Sequence, residues 1–168
     1  VVDYGAGNLV SIDQALTAAG ARVRLATTGG DIDGADLLIV PGVGAAAPAM
    51  ERLRAGGFVE PIRAWIAADR PFLGICVGMQ VLFERGVEHG LETPGLGEWP
   101  GVVEELVAPV LPHMGWNTVQ APADSHLFAD VRDERFYFVH SYAVTTWTGM
   151  PADPLRTAPR VSWTHHGQ

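Results

Sequence analysis

The sequence predicts an α/β fold: a doubly wound, mostly parallel sheet to which the second half of the chain adds antiparallel strands. Three observations carry this. The first half alternates short apolar runs with helical stretches, the pattern that right-handed crossovers wind into a parallel sheet. Leu37-Leu38-Ile39-Val40 is apolar without a break, as expected of a strand covered on both faces. From Gly86 the alternation stops: Gly and Pro crowd the chain to Gly101, and strand-like runs follow with no long helix between them.

In order, Val1–Val2 reads as the tail of a buried strand ended by Asp3-Tyr4-Gly5-Ala6-Gly7. A helix follows with Leu9, Ile12, Leu16 and Ala19 on one face and Gly20 as its stop. Val23–Leu25 is a second strand and Leu37–Val40 a third, turned by Pro41-Gly42-Val43-Gly44. Two helices occupy Ala45–Arg54 and Phe58–Asp69, with Pro48 and Pro61 near enough to their starts to be tolerated. Pro71–Ile75 is a further short strand, running into Cys76 and a helix over Gly78–Glu84. Later strands are expected at Val102–Val107, Trp116–Val119, Arg135–Val139, Ala143–Trp147 and Arg160–Trp163.

The 168 residues fit one domain, 1–168, with no repeat or linker. With 48% apolar and 18% charged residues, a sizeable core is expected. A net charge of −8 argues against nonspecific nucleic-acid binding. All 11 basic residues are Arg, so Schiff-base and P-loop chemistry within these residues is excluded. The single Cys76 forms no intrachain disulfide and suits a reducing, cytoplasmic setting. The most apolar stretch, Leu37–Met50, is too short and too rich in Pro and Gly to span a membrane. The chain opens inside a strand without an initiator Met and stops just past another strand-like run, which reads as a piece of a longer protein.

Gly74-Ile75-Cys76-Val77-Gly78 has the G-x-nucleophile-x-G form of a strand-to-helix elbow. Such a turn lifts the thiol to the carboxyl end of the sheet, at a helix N-terminus that favours thiolate. There the Val77 amide is placed to donate to an oxyanion. The same pentapeptide also fits a buried structural Cys between packing glycines. Pro41-Gly42-Val43-Gly44 supplies either a second oxyanion donor or a simple turn. Gly5-Ala6-Gly7 lacks the third glycine of a dinucleotide fingerprint, since Val10 stands there, so no nucleotide cofactor is expected. The six histidines have no metal-ligand spacing. His140, at the end of Phe136-Tyr137-Phe138-Val139, reads as a base for Cys76 or, better, as a satisfied core histidine. Pro112-His113-Met114-Gly115-Trp116-Asn117 reads as a loop suited to a partner surface or, by composition alone, as one that tucks Trp116 into the core.

Taken in order, Asp3–Asn8, Pro41–Gly44, Gly74–Gln80, Pro112–Asn117 and His140-Ser141-Tyr142 closely resemble the glutaminase subunits of imidazole glycerol phosphate synthases, class I glutamine amidotransferases of histidine biosynthesis. The likeness spans nearly the whole chain. It implies that Cys76 attacks the side-chain amide of glutamine and that the Val43 and Val77 amides hold the oxyanion. It further implies that Gly42, Gln80, Ser141 and Tyr142 contact the substrate. Tyr4, Asn8, Met114, Trp116 and Asn117 would lie toward a (β/α)8-barrel cyclase that takes up the ammonia. No cofactor and no metal is implied. The family's catalytic His and Glu lie in a His-Pro-Glu segment that does not occur in these residues. The resemblance therefore implies a nucleophile without its base, and near inactivity for this stretch alone. Two other readings stand beside it: a noncatalytic partner-binding module of the same fold, and a stand-alone cysteine hydrolase. Gln80 and His140-Ser141-Tyr142 favour glutamine over a peptide.

Overall fold

The computed structural model describes residues 1–146 and 160–167. The chain forms two compact units, Val1–Val102 and Val103–Gln168.

In the first unit, β1 (Leu38–Val40) pairs in parallel with β2 (Phe72–Gly74), Ile39 opposite Leu73. On the other side of β1 the Val2 amide donates to the Ile39 carbonyl at 2.9 Å, and Val2 bridges Ala26 in parallel. The spatial order Ala26, Val2, β1, β2 is the expected parallel sheet. Of the strand expected at Val23–Leu25, the paired residue is Ala26, one position further on. Arg24 and Leu25 are exposed and only Ala26 is buried, so little of this outer segment is held against the sheet. All three residues of β1 are buried, which explains a run without a polar side chain.

Helix α1 (Leu9–Ala18) is capped by Asn8, whose side chain accepts from the Ser11 amide at 3.1 Å. Its inner face is half-buried at Leu9, Ile12 and Leu16, and Ala19 is exposed beyond its end. Gly20 at φ +84° takes the left-handed conformation that stops the helix. A 3-10 turn (Gly29–Ile32) precedes β1. Helix α2 (Ala46–Ala55) buries Ala46, Ala49, Met50 and Leu53; α3 (Val59–Ala67) buries Ile62 and Trp65. With Phe58, Leu38 and Val40, all of these side chains but Ala46 belong to the core of this unit.

The helix expected over Gly78–Glu84 is one turn, α4 (Val77–Gln80), and the chain is extended again from Phe83. Phe83 packs edge-on against Trp99 with ring centroids 5.4 Å apart, a contact made from a strand and not from a helix face. Two strands in the Gly/Pro-dense stretch were not foreseen. β3 (Phe83–Glu88) and β4 (Leu91–Pro94) form an antiparallel hairpin with Val87 opposite Glu92. Its two-residue turn is His89-Gly90, with φ +51° and +77°. Left-handed geometry at both positions is what a type I′ hairpin turn requires.

β5 (Trp99–Glu105) crosses the boundary between the units. In the second unit, Glu104 and Glu105 pair antiparallel with Ala143 and Tyr142 of β8 (Tyr142–Ala143). β6 (His113–Thr118) pairs antiparallel with β7 (Arg135–His140), from His113 opposite His140 to Thr118 opposite Arg135. The strand expected at Trp116–Val119 is thus present through Thr118, and it starts earlier, taking in His113–Gly115 of the segment Pro112–Asn117 that reads as a loop. Gly115 at φ +135° lets it extend where the sequence looks like a turn. The strand expected at Arg160–Trp163 is a single bridge, Trp163 to Gln120. Pairing of the strand expected at Ala143–Trp147 ends at Ala143, and Trp147 lies outside the described residues. No helix of the described residues is long and apolar enough to cross a membrane.

Two glycines beside the hairpin differ in what a side chain would meet. A Cβ on Gly95 would overlap the Phe83 carbonyl and stand 2.8 Å from that of Val81, whereas Gly97 at φ +69° has open space around it. In urea unfolding, Gly95→Ala is expected to cost about 3 kcal/mol through overpacking. Gly97→Ala is expected to cost only about 1 kcal/mol through its backbone. Equal losses would show that the packing on Phe83 is not what selects Gly95.

Candidate active site

β2 ends at Gly74, and two residues later Cys76 stands as the N-cap of α4 with φ +54° and ψ −117°. A side chain disfavours this conformation, at a cost of about 1–3 kcal/mol. Four hydrogen bonds hold it. The Met79 and Gln80 amides both donate to the Cys76 carbonyl at 3.0 Å, Ile75 N–H donates to the Val40 carbonyl at 2.9 Å, and Gly78 N–H donates to that of Ile75 at 2.9 Å. The flanking glycines are demanded by packing. A Cβ on Gly74 would come within 2.7 Å of the Gly78 carbonyl, and one on Gly78 would overlap the Val40 carbonyl. Cys76 is exposed, so the reading of a buried structural thiol does not hold. Beside it the Val77 amide is the first of the helix and has no acceptor within it.

The turn after β1 meets this elbow. Pro41 and Gly42 are buried; Val43 and Gly44 are exposed, Gly44 at φ +83°. A Cβ on Gly42 would stand 2.6 Å from Gly78 N, 2.8 Å from Val77 Cβ and 2.8 Å from Tyr4 Oη. The peptide that carries the Val43 amide therefore starts against the residues that carry the Val77 amide. Gln80 is buried on the same short helix as the elbow.

Tyr4, which the resemblance turns toward a partner, lies inside this unit at 7% exposure and donates to the Pro41 carbonyl at 2.6 Å. Burial pushes its phenol up to about 12; Arg52 opposes that rise, and the neighbouring Cys76 adds to it. Asn8 is exposed, with its side chain engaged as the α1 cap. Sequence reasoning passed over Glu88. Its carboxylate accepts from the Ala46 amide at 3.1 Å, holding the start of α2 directly after the Gly42–Gly44 turn. The N-cap itself is Ala45, whose methyl cannot do this. The two residues are 42 apart in sequence, so no local pattern signals the pair.

In the second unit the β6–β7 hairpin has two faces. Met114 and Trp116 project outward at 59% and 61% exposure, and Trp116 meets Tyr137 edge-on at 5.6 Å. Trp116 is thus not a core residue. Inward, His140 Nδ1 lies 3.1 Å from the Tyr142 carbonyl and must carry a proton to bond it. That leaves His140 Nε2 to accept from His113 Nδ1 at 3.0 Å, and His113 Nε2 to accept from the Asn117 side-chain amide at 3.2 Å. Asn117 also donates to the His165 carbonyl at 2.7 Å, so its amide is directed inward. His166 stacks on His113 with centroids 4.3 Å apart. Burial, then the His166 and His140 charges, hold His113 below the usual imidazole range. Both His140 nitrogens are engaged, as the core-histidine reading expects. Ser141 and Tyr142 are half-buried, and the Ser141 carbonyl accepts from the Leu106 amide at 2.8 Å. Among the described residues no group of three or more His, Cys, Asp or Glu is arranged to hold a metal ion.

A cysteine elbow alone fits several hydrolases, so relatives decide. The class-I glutamine amidotransferase family matches residues 1–160. Imidazole glycerol phosphate synthase subunit HisH of Renibacterium salmoninarum is 56% identical over 167 residues, 99% of this chain and 76% of that one. The protein of that name from Leifsonia xyli subsp. xyli is 59% identical, covering 99% and 79%. The one from Streptomyces coelicolor is 53% identical, covering 100% and 76%.

The chain belongs to the HisH group of class-I glutamine amidotransferases.

The fold agrees: a solved glutamine amidotransferase structure, 18% identical, superposes with a TM-score of 0.66 over 87% of this chain and 73% of that one. In this amidotransferase the strain at Cys76 has a measurable consequence. Cys76→Gly is expected to stabilise the protein by about 1 kcal/mol in urea unfolding, because glycine adopts φ +54° freely. A destabilised Cys76→Gly protein would show that the elbow stores no strain.

Proposed function

We propose that Cys76 attacks the side-chain amide carbon of glutamine, that ammonia leaves, and that water hydrolyses the resulting glutamyl thioester to glutamate. The observation that carries this reading is the contact between the strained Cys76 elbow and the Gly42 turn. In this reading the Val77 amide beside the exposed thiol and the Val43 amide after the Gly42 turn share one oxyanion. Gly42 shapes that turn. Gln80, Ser141 and Tyr142 are proposed to hold the amino-acid end of the substrate, on the strength of the family pattern. The reaction needs neither cofactor nor metal.

The ammonia passes, in this reading, to a (β/α)8-barrel cyclase subunit in a heterodimer. The exposed Met114–Trp116 face of β6 supports a partner surface, because large apolar side chains on an outward strand face gain by being covered. Asn8 and Tyr4 of the first unit and Asn117 of the second are assigned to the partner side by the family pattern alone; the Asn117 amide itself turns inward, to His113 and the His165 carbonyl. The setting is the cytoplasm, where Cys76 stays reduced. The general base is proposed to come from a His-Pro-Glu segment outside these 168 residues. By analogy with dissected catalytic triads, these residues alone are then expected to turn glutamine over about 10⁶-fold more slowly than the base-bearing protein.

The test is glutamine-dependent ammonia release by the base-bearing protein with its cyclase subunit. Release is expected to rise on adding that subunit, and Cys76→Ala is expected to abolish it while the two proteins still bind. Ammonia release that survives Cys76→Ala would sink the reading. Loss of partner binding in the same variant would instead mean that the elbow serves assembly.

A further inference from the structure

We propose that the Tyr4 hydroxyl is a positioning group for glutamine hydrolysis: it fixes the Pro41–Gly42 peptide and thereby aims the Val43 amide at the oxyanion formed on Cys76. The inference rests on the oxyanion reading above and assigns Tyr4 to the site in place of a surface.

The bond from Tyr4 Oη to the Pro41 carbonyl is 2.6 Å long and buried. The Pro41 carbonyl and the Gly42 N–H belong to one rigid peptide plane, so holding the oxygen holds the plane. Only the two soft dihedrals of Gly42 separate that plane from the next peptide, which carries the Val43 N–H. A glycine in an open loop would roam over many conformations. Gly42 does not sit in an open loop: Tyr4 Oη, Val77 Cβ and Gly78 N together crowd the place a Cβ would take. The hydroxyl is thus both the donor that locks the first peptide and one wall of the slot that limits the second.

The surroundings keep it in that role. Arg52 on α2 donates to the Gly5 carbonyl at 2.7 Å, tying the residue after Tyr4 to the helix that starts just beyond the turn. Arg52 and Cys76 are the charged and titratable groups that act on the phenol, and a phenol raised to about 12 keeps its donor proton at neutral pH. If Tyr4 served packing alone, a phenyl ring would fill the same space and the hydroxyl would be dispensable. Pro41 is fully buried, so without the hydroxyl its carbonyl loses this donor where water does not replace it.

The test is Tyr4→Phe in the base-bearing protein assembled with its cyclase subunit, compared with 4-aminophenylalanine at position 4, which keeps an N–H donor of nearly the same reach. Tyr4→Phe is expected to lower kcat for glutamine hydrolysis about tenfold, less than the 10²–10³ of deleting an oxyanion donor outright. KM and the rate of Cys76 alkylation by iodoacetamide are expected to stay unchanged, and the aminophenyl variant to recover kcat. Wild-type kcat in Tyr4→Phe, a loss not recovered by the aminophenyl variant, a rise in KM instead, or a Tyr4→Phe protein that does not fold would each overturn the proposal. Cys76→Ala in the same assembly separates the two levels. If it remains active, the nucleophile reading fails; if it is dead while Tyr4→Phe is fully active, only the role of Tyr4 fails.

Discussion

The site depends on how closely two strand ends approach each other. The Val40 carbonyl at the end of β1 accepts from Ile75, and the Gly78 backbone lies so close to that carbonyl that no side chain fits between them. This approach draws the elbow onto the turn after β1 and requires glycine at Gly42 and Gly78, while Gly74 is required by the backbone of the elbow itself. Close packing of this kind transmits position: a turn pressed on an elbow cannot move far without the elbow yielding. The parallel pairing of β1 and β2 is therefore the scaffold that sets where the thiol and the amides stand.

Stability and function pull apart at Cys76. The chain holds a side-chain-bearing residue at φ +54° and ψ −117°, against the preference of its backbone, and surrounds it with four hydrogen bonds and two obligatory glycines. Strain of this size persists only when the neighbourhood over-determines it. What it gains is direction: the thiol projects to solvent at the head of a helix whose first amide is open to a ligand. The same logic extends outward to Glu88, whose carboxylate fixes the start of α2, and to Tyr4, whose hydroxyl fixes the end of β1.

What was legible in the sequence were features with a local cause. Leu37–Val40 could only be a covered strand, and the elbow's glycines announce themselves by spacing. α1 starts at the residue after Asn8 and is stopped by Gly20 because capping is a matter of neighbours in the chain. Phe83–Pro94 carries no strand signal of its own, because dense glycine and proline hide a hairpin that the two-residue turn His89-Gly90 closes. Pro112–Gly115 reads as a loop for a related reason: Gly115 permits an extended strand that the composition does not suggest. Trp116 faces outward from a strand whose partner residue, Tyr137, lies 21 residues away in the chain, so its own neighbours do not signal which way it turns. The contacts of Glu88 and Tyr4 span about forty residues and had no local signal at all. Family resemblance supplied the chemistry of glutamine, which periodicity does not carry.

The central claim is that one oxyanion is held by the Val77 and Val43 amides above Cys76. The measurement that tests it most directly is a crystal structure of the protein with its cyclase subunit after reaction with glutamate γ-semialdehyde, which forms a tetrahedral hemithioacetal on a cysteine thiolate. The account predicts the adduct on Cys76, with its oxygen about 2.7–3.1 Å from both amide nitrogens. An adduct whose oxygen points away from both, or a Val43 amide turned to another acceptor, would contradict it.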